Sequence, residues 1–260
     1  MARTIVVTSG KGGVGKTTTV ANLGFKLAGL GARVCLIDTD IGLNNLDVVL
    51  GLDSKVTYDI CDVLENRCRL KQALVQDARE PLLYLLPSNH LYSSNIISSF
   101  NIKKIIEELS EYFDFVIIDC PAGIDKGFHR AVACADEALV VTTPHLSAVR
   151  DADKVLNLLN SYNFNCISCV VNRIRADLII KGDMIDVEEI KSLLHTNIIG
   201  VVPEDDKVNC SINNVQFSEA DDAYLILAEN ILHNENTIYN YKQKYSGFLG
   251  KIKQFLKGVV

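Results

Sequence analysis

Several residue types are rare or absent in this 260-residue sequence, which has no tryptophan, two methionines and five prolines. No apolar run approaches the roughly 20 residues that a membrane-spanning helix needs. Apolar residues make up 48% of the chain and charged residues 22%, proportions that exclude disordered and collagen-like proteins. We therefore expect a soluble intracellular globular protein.

The sequence also lacks the cysteine and histidine spacings of zinc proteins. Its eight cysteines are too sparse for a disulfide scaffold, and its five histidines are scattered. The CxxC pair of Cys166 and Cys169 lies in a strand-like segment, and a structural zinc site would need a second such pair. We therefore assign no metal to cysteine or histidine.

Acidic residues are absent after Glu235, where the chain has five lysines. They are Lys242, Lys244, Lys251, Lys253 and Lys257. Because the net charge of the whole chain is −6, this tail has a charge of +5 and the rest has −11 (−6 minus 5). We therefore divide the chain into a body, residues 1–235, and a basic tail, residues 236–260.

Short apolar segments alternate with longer segments of helical periodicity along the body. The predicted strands are residues 4–8, 34–37, 82–86, 115–118, 138–142, 167–171 and 198–202. The predicted helices are residues 17–30, 58–76, 102–112, 147–161, 187–195 and 219–232. This alternation predicts an α/β fold, a doubly wound, mostly parallel sheet of about seven or eight strands with helices on both faces.

A glycine-rich loop follows the first predicted strand and precedes the first predicted helix. It reads Gly10-Lys11-Gly12-Gly13-Val14-Gly15-Lys16-Thr17-Thr18. Glycines let successive backbone N–H groups surround an anion, and the helix N-terminus adds positive potential. Lys16 would reach the β- and γ-phosphates, and the Thr17 hydroxyl would ligate Mg²⁺. The segment therefore predicts a nucleoside-triphosphate loop.

The same loop also fits a dinucleotide-binding pattern through Gly10, Gly12 and Gly15. Asp38 follows Gly15 by 23 residues, close to the usual place of a ribose-binding carboxylate. Lys16-Thr17 disfavours this interpretation, because small apolar residues suit close packing of that helix better. Lys11 adds a second cation, which suits a triphosphate. We favour a nucleoside triphosphate over a dinucleotide or a turn without function.

Three aspartates follow predicted strands whose carboxyl ends would meet at one edge of the sheet. Asp119 follows an apolar strand as a Walker B carboxylate does, and we assign it to Mg²⁺. Asp38 and Asp40 end the second strand, where one could orient the attacking water and the other a metal-bound water. We assign Asp40 to catalysis and Asp38 to the metal, and capping of the turn before Gly42 is the alternative for either.

These motifs resemble those of the MinD/ParA family of ATPases. The loop, with its additional Lys11, resembles the deviant Walker A motif of that family. Residues 38–47 and 119–124 resemble its two switch segments, and the likeness runs from the first residue to the tail. The resemblance implies a P-loop fold, Mg²⁺-dependent ATP hydrolysis and an ATP-dependent homodimer. It also implies that Lys11 reaches the partner's phosphates and that Asn172 and Arg173 lie at the adenine.

The resemblance further implies a role for the protein in positioning the division septum. A MinC-like inhibitor and a MinE-like activator are the expected partners, with an anionic membrane surface and no nucleic acid. The expected location is the cytoplasm or the plastid stroma, peripheral on the inner face of the membrane. The alternative is a ParA-like chromosome or plasmid partition ATPase without membrane attachment.

Apolar residues of the tail recur at helical spacing. They are Phe248, Leu249, Ile252, Phe255, Leu256 and Val259, with Lys251, Lys253 and Lys257 off the stripe. Twelve residues form about 18 Å of helix, which is too short to cross a bilayer of about 30 Å. We predict an interfacial membrane anchor, and a terminal helix packed on the body is the alternative.

Overall fold

The protein forms one eight-stranded sheet in a computed structural model that describes residues 2–40, 45–88, 98–205 and 219–243. The strands are β1 (Arg3–Thr8), β2 (Val34–Asp38), β3 (Val75–Gln76), β4 (Leu83–Leu86), β5 (Phe115–Asp119), β6 (Glu137–Thr142), β7 (Cys166–Ile174) and β8 (Asn197–Pro203). Their order is β3-β4-β2-β5-β1-β6-β7-β8, and every pair of neighbours is parallel except β3 with β4. The predicted doubly wound α/β fold is confirmed.

Helices cover both faces of the sheet. One face packs against α1 (Lys16–Gly29), α2 (Leu46–Leu50) and α10 (Glu219–His233). The other packs against α3 (Ile60–Leu64), α4 (Leu70–Ala73), α5 (Ser99–Leu109), α6 (Lys126–Val132), α7 (Leu146–Leu159) and α9 (Val187–Leu194), with the short α8 (Ala176–Lys181) beside β7. Alternate strand residues enter the two cores, as Val6 and Val7 of β1 do, which explains why the predicted strands are almost continuously apolar.

The predicted helix over residues 58–76 is wrong. A capping box at Asp59 starts the five-residue helix α3, and the chain leaves helical geometry at Asn66, whose φ is +59°. A second short helix, α4, follows, and β3 then pairs antiparallel with β4. Asparagine adopts positive φ more readily than most residues, so the helix can end at Asn66. The apolar spacing of residues 58–76 is typical of a helix and does not reveal this interruption.

The described part of the chain ends at Gln243. The predicted membrane-binding stripe, residues 248–259, lies outside it, as do Lys244, Lys251, Lys253 and Lys257. The division into residues 1–235 and 236–260 therefore stays a prediction. Within the described residues, no helix combines the length and the apolar character needed to cross a bilayer.

Candidate active site

The carboxyl ends of the central parallel strands bring the predicted site residues together. In the register of the sheet, Asp119 at the end of β5 lies between Val7 of β1 and Asp38 of β2. The loop that follows β1 leads directly into α1. The aspartates and the glycine-rich loop are therefore adjacent because neighbouring strands are in register, as the sequence predicts.

Close contacts with neighbouring elements require glycine at two positions of the glycine-rich loop. Gly15 is the N-cap of α1 with a φ of +93°, and a Cβ atom there would lie 2.2 Å from Asn172 Nδ2. A Cβ atom on Gly10 would lie 2.2 Å from the carbonyl oxygen of Asp151 in α7. The loop is thus held between β7 on one side and α7 on the other.

Lys16 and Lys11 have different surroundings. The Lys16 ammonium is buried and lies 3.2 Å from Asp119 Oδ1. Lys11 is exposed and lines two clefts, one with Lys16 and Asp40 and the other with His145 and Arg175. One lysine is therefore buried inside the site, and the other is exposed at its rim.

Asp38 and Asp119 are buried neighbours, and the pKa values of both carboxyl groups are raised. Asp38 accepts hydrogen bonds from the N–H groups of Asp40 at 2.9 Å and Leu46 at 3.3 Å. Burial and then the charge of Asp119 raise the pKa of Asp38 to about 7, although those N–H groups lower it. Burial also raises the pKa of Asp119, and Lys16 and the Thr17 hydroxyl act in the opposite direction.

An oxygen-rich set of side chains is therefore concentrated beside the loop. Thr17, Asp38 and Asp119 offer one hydroxyl and two carboxylates, which are the hard ligands that Mg²⁺ prefers. A divalent cation there would favour the ionised form of Asp38, which burial and then the charge of Asp119 disfavour. The three residues assigned to the metal from the sequence fit that ion.

Asp40 lies on the open side of the same cleft. The cleft is lined by residues of the loop together with Asp40, Asn45, Ala122 and Arg173. Asp40 is half-buried, so its carboxylate borders both the protein and the space above Lys16 and Thr17. The geometry places Asp40 beside the loop, and Gly42, with the turn before it, lies outside the described residues.

An irregularity in β7 sets Asn172 and Arg173 against the loop. The register of β7 with β8 shifts between Val171 and Ile174, and Arg173 has a φ of +59°. Asn172 Nδ2 donates to Val14 O at 2.9 Å, and Asn172 Oδ1 accepts from the Arg173 N–H at 2.9 Å. Asn172 therefore fixes the loop, and its amide keeps one further donor and one acceptor position.

A second pocket adjoins this pair, and the sequence analysis did not assign its other residues. Thr18, Asn172 and Arg173 line it together with Val202, Pro203, Glu204 and Asp205, which follow or end β8. Their position at the carboxyl end of β8 could have identified them from the sequence, because ligands of parallel sheets bind at the carboxyl ends of strands.

Comparisons with known proteins show the family of the chain. Residues 2–166 match a family model described as an AAA domain. The chain is 47% identical over 263 residues to the septum site-determining protein MinD of Bacillus subtilis, covering 98% of each protein. The chain belongs to the MinD family. It is therefore a member of the P-loop ATPase family whose proteins determine the septum site.

Solved MinD structures share the fold. The MinC:MinD cell division protein complex of Aquifex aeolicus contains a chain with 41% identity and a TM-score of 0.85, covering 92% of this chain and 99% of that one. MinD of Pyrococcus horikoshii, complexed with Mg-ADP, has 29% identity and a TM-score of 0.78, covering 89% of this chain and 96% of that one.

Proposed function

We propose that this protein is a Mg²⁺-dependent ATPase that dimerises on ATP and attaches reversibly to a membrane to position the division septum. The observation that carries the proposal is the buried Lys16–Asp119 pair beside Asp38, beneath a glycine-rich loop. Lys16 would exchange its carboxylate partner for phosphate oxygens. Thr17, Asp38 and Asp119 would then hold Mg²⁺, directly or through water.

Each remaining polar group of the site has a role in this proposal. Bound Mg²⁺ would neutralise charge on the phosphates during hydrolysis. Asp40 would accept a hydrogen bond from the attacking water, which is supported by its position on the open side of the cleft. Asn172 and Arg173 would border the adenine, which is supported by their position near the end of β7, against the glycine-rich loop. The backbone N–H groups of residues 10–18 would bind the phosphates.

Dimerisation is supported by the exposure of Lys11. A lysine of the phosphate loop that is exposed at the rim of the cleft is suited to a phosphate held by a second subunit. Two basic tails carried by one dimer would bind an anionic surface far better than one tail, because the second binding event is intramolecular. ATP would thereby control membrane attachment without contacting lipid.

One of the proposed partners is supported by a relative. A MinD chain of Aquifex aeolicus occurs in a complex with MinC, and we propose that this protein recruits a MinC-like inhibitor. A MinE-like activator would stimulate hydrolysis, and no nucleic acid is required. The protein would reside in the cytoplasm or the plastid stroma and act on the inner face of the membrane.

Vesicle co-sedimentation tests the proposal. The full chain is spun with anionic phosphatidylglycerol vesicles in ATP, in ADP and without nucleotide, beside a variant that lacks residues 248–260. We expect pelleting of the full chain in ATP alone, and ATP binding without pelleting for the deletion variant. Pelleting that is equal in ADP would contradict ATP control, and salt-sensitive retention on DNA would favour a partition ATPase instead.

A further inference from the structure

The chain reverses direction after α10 and is fixed to that helix by Asn230. Asn234 has a φ of +56°, and the Glu235 N–H donates to Asn230 O at 3.0 Å. The buried side chain of Asn230 donates to Thr237 O at 2.7 Å and accepts from the Thr237 N–H at 3.0 Å. The residues that follow α10 are therefore held against the body.

Two tyrosines show that this segment passes from one face of the sheet to the other. Tyr239 packs against the core of α1, α2 and α10, where burial and the charges of Glu219 and Asp222 raise its pKa. Tyr241 packs against the core on the opposite face. Because β8 is the edge strand between α9 and α10, the chain crosses beside β8 between these two tyrosines.

After the crossing, side chains of the segment bind a carboxylate at the start of α9. Tyr241 Oη donates to Asp186 Oδ1 at 2.8 Å, and Lys242 Nζ lies 2.5 Å from Asp186 Oδ2. Burial would raise the pKa of Asp186, but these two contacts outweigh it and lower that pKa. Charge-assisted hydrogen bonds of this kind are the stronger ones in proteins. We call Asp186, Tyr241 and Lys242 the clasp.

The clasp lies on the nucleotide side of the molecule. Asp186 is the N-cap of α9, and Met184, two residues before it, lines the same cleft as Lys11 and Gly12. The Arg175 N–H also contacts Met184 Sδ at 3.4 Å, which fixes that loop beside the end of β7. The last described residues therefore leave the body on the side of the molecule that carries Lys11, the residue that we assign to contact with a second subunit.

We propose that Asp186 and Tyr241 are positioning residues that fix the point at which the basic tail leaves the body. The proposal rests on the membrane attachment proposed above. With the clasp closed, both tails of a dimer would start beside the subunit interface and reach one membrane together. With the clasp open, Tyr241 and Lys242 would be released, and the last fixed contact of each tail would be the packing of Tyr239.

The expected loss of vesicle affinity follows from the number of residues between the last fixed contact of the tail and Phe248. Five residues, 243–247, separate Lys242 of the clasp from Phe248, whereas eight residues, 240–247, separate Tyr239 from Phe248. Effective concentration falls roughly as the −3/2 power of connection length, so opening the clasp would lower it about twofold. We expect the same loss in apparent affinity for vesicles.

The experiment compares two variants that each remove one negative charge from the same loop. Asp186→Asn opens the clasp, and Asp183→Asn changes an exposed carboxylate three residues away. A general charge effect would strengthen binding to anionic vesicles equally in both. The clasp predicts instead that Asp186→Asn binds about twofold more weakly than Asp183→Asn in ATP. Tyr241→Phe, which leaves the charge unchanged, should weaken binding in the same direction.

Hydrogen exchange on the full chain provides a readout without membrane. The amides of Tyr241 and Gln243 should exchange about tenfold faster in Asp186→Asn than in Asp183→Asn, because a charge-assisted contact is lost. Equal exchange in the two variants would overturn the clasp. Faster exchange with equal vesicle affinity would overturn its positioning role. Failure of the wild type to pellet in ATP would overturn the membrane function itself, and exchange would still report whether the clasp exists.

Discussion

Lys16 Nζ lies 3.2 Å from Asp119 Oδ1, although the two residues are 103 positions apart in the chain. Both side chains are almost fully buried, at 8% and 2% exposure. An amine and a carboxylate that are removed from water in this way stabilise each other, and both remain available to a ligand that offers new partners. The pair connects the phosphate loop with strand β5, which carries the carboxylate that we assign to Mg²⁺.

Replacing either loop lysine tests the division of roles between them. Lys16→Ala should lower ATP affinity about 100-fold or more, because charge-assisted phosphate contacts are lost. It should also destabilise the fold by about 3 kcal/mol, because the buried Asp119 loses its cation. Lys11→Ala should bind ATP yet neither dimerise nor hydrolyse it. Titration with a fluorescent nucleotide, denaturant unfolding and analytical ultracentrifugation measure these effects, and an ATP dimer of Lys11→Ala would refute its role across the interface.

Asp40→Ala tests the assignment of the water-orienting carboxylate. We expect ATP binding to persist and the steady-state hydrolysis rate to fall about 100-fold or more, in the range of general acid–base contributions. The variant should remain on vesicles in ATP because hydrolysis no longer releases it. Asp53→Ala, which removes an exposed carboxylate farther along the chain, is the control. Unchanged turnover of Asp40→Ala would show that another group positions the water.

Gly15→Ala tests the close approach of β7 to the phosphate loop. Gly15 and Gly31 have nearly equal φ angles, +93° and +94°, but a Cβ atom at Gly31 would meet nothing within 4 Å. Gly31→Ala should therefore cost only backbone strain, about 1–2 kcal/mol. Gly15→Ala should cost more, because its Cβ would displace Asn172, and ATP affinity should fall more than tenfold. Equal unfolding free energies for the two variants would mean that the Asn172 contact is unimportant.

Asp38→Asn tests the charge balance of the site without metal. The pKa of Asp38 is raised from 3.8 to about 7, so the folded state prefers the protonated acid. The cost of ionising Asp38 is absent below about pH 4, grows between pH 4 and 7 and is complete above pH 7. Ionisation of Asp38 in the folded wild type therefore costs about 4 kcal/mol of folding free energy. Asparagine avoids this cost but loses a backbone hydrogen bond that contributes about 1–3 kcal/mol.

In EDTA at pH 8, Asp38→Asn should therefore be about 1–3 kcal/mol more stable than the wild type, and the difference should shrink as the pH falls to 5. Mg²⁺ with ADP should stabilise the wild type more than the variant. Denaturant unfolding at several pH values measures both differences. A variant that is less stable than the wild type at pH 8 would show that Asp38 contributes more through its backbone contacts than it costs by its charge.

Local signals in the sequence predicted most of the architecture. The seven predicted strands correspond to β1, β2 and β4 to β8, because strands buried on both faces must be apolar throughout. The two-residue β3 and the short helices α2, α6 and α8 were not predicted, because elements of so few residues have no periodicity to detect. The predicted helix over residues 58–76 was wrong, since apolar spacing does not reveal the left-handed residue Asn66 that interrupts it.

The sequence by itself determined the phosphate loop, because a backbone that surrounds an anion is made from consecutive residues whose types follow from local conformation. It also determined that aspartates would end strands β2 and β5. Only the tertiary structure decided that Asn172 lies against Gly15, that Lys16 pairs with Asp119, and that Tyr241 reaches Asp186. Such contacts depend on strand order, register and chain crossings, which are selected by the packing of the whole core and leave no periodic trace in the local sequence.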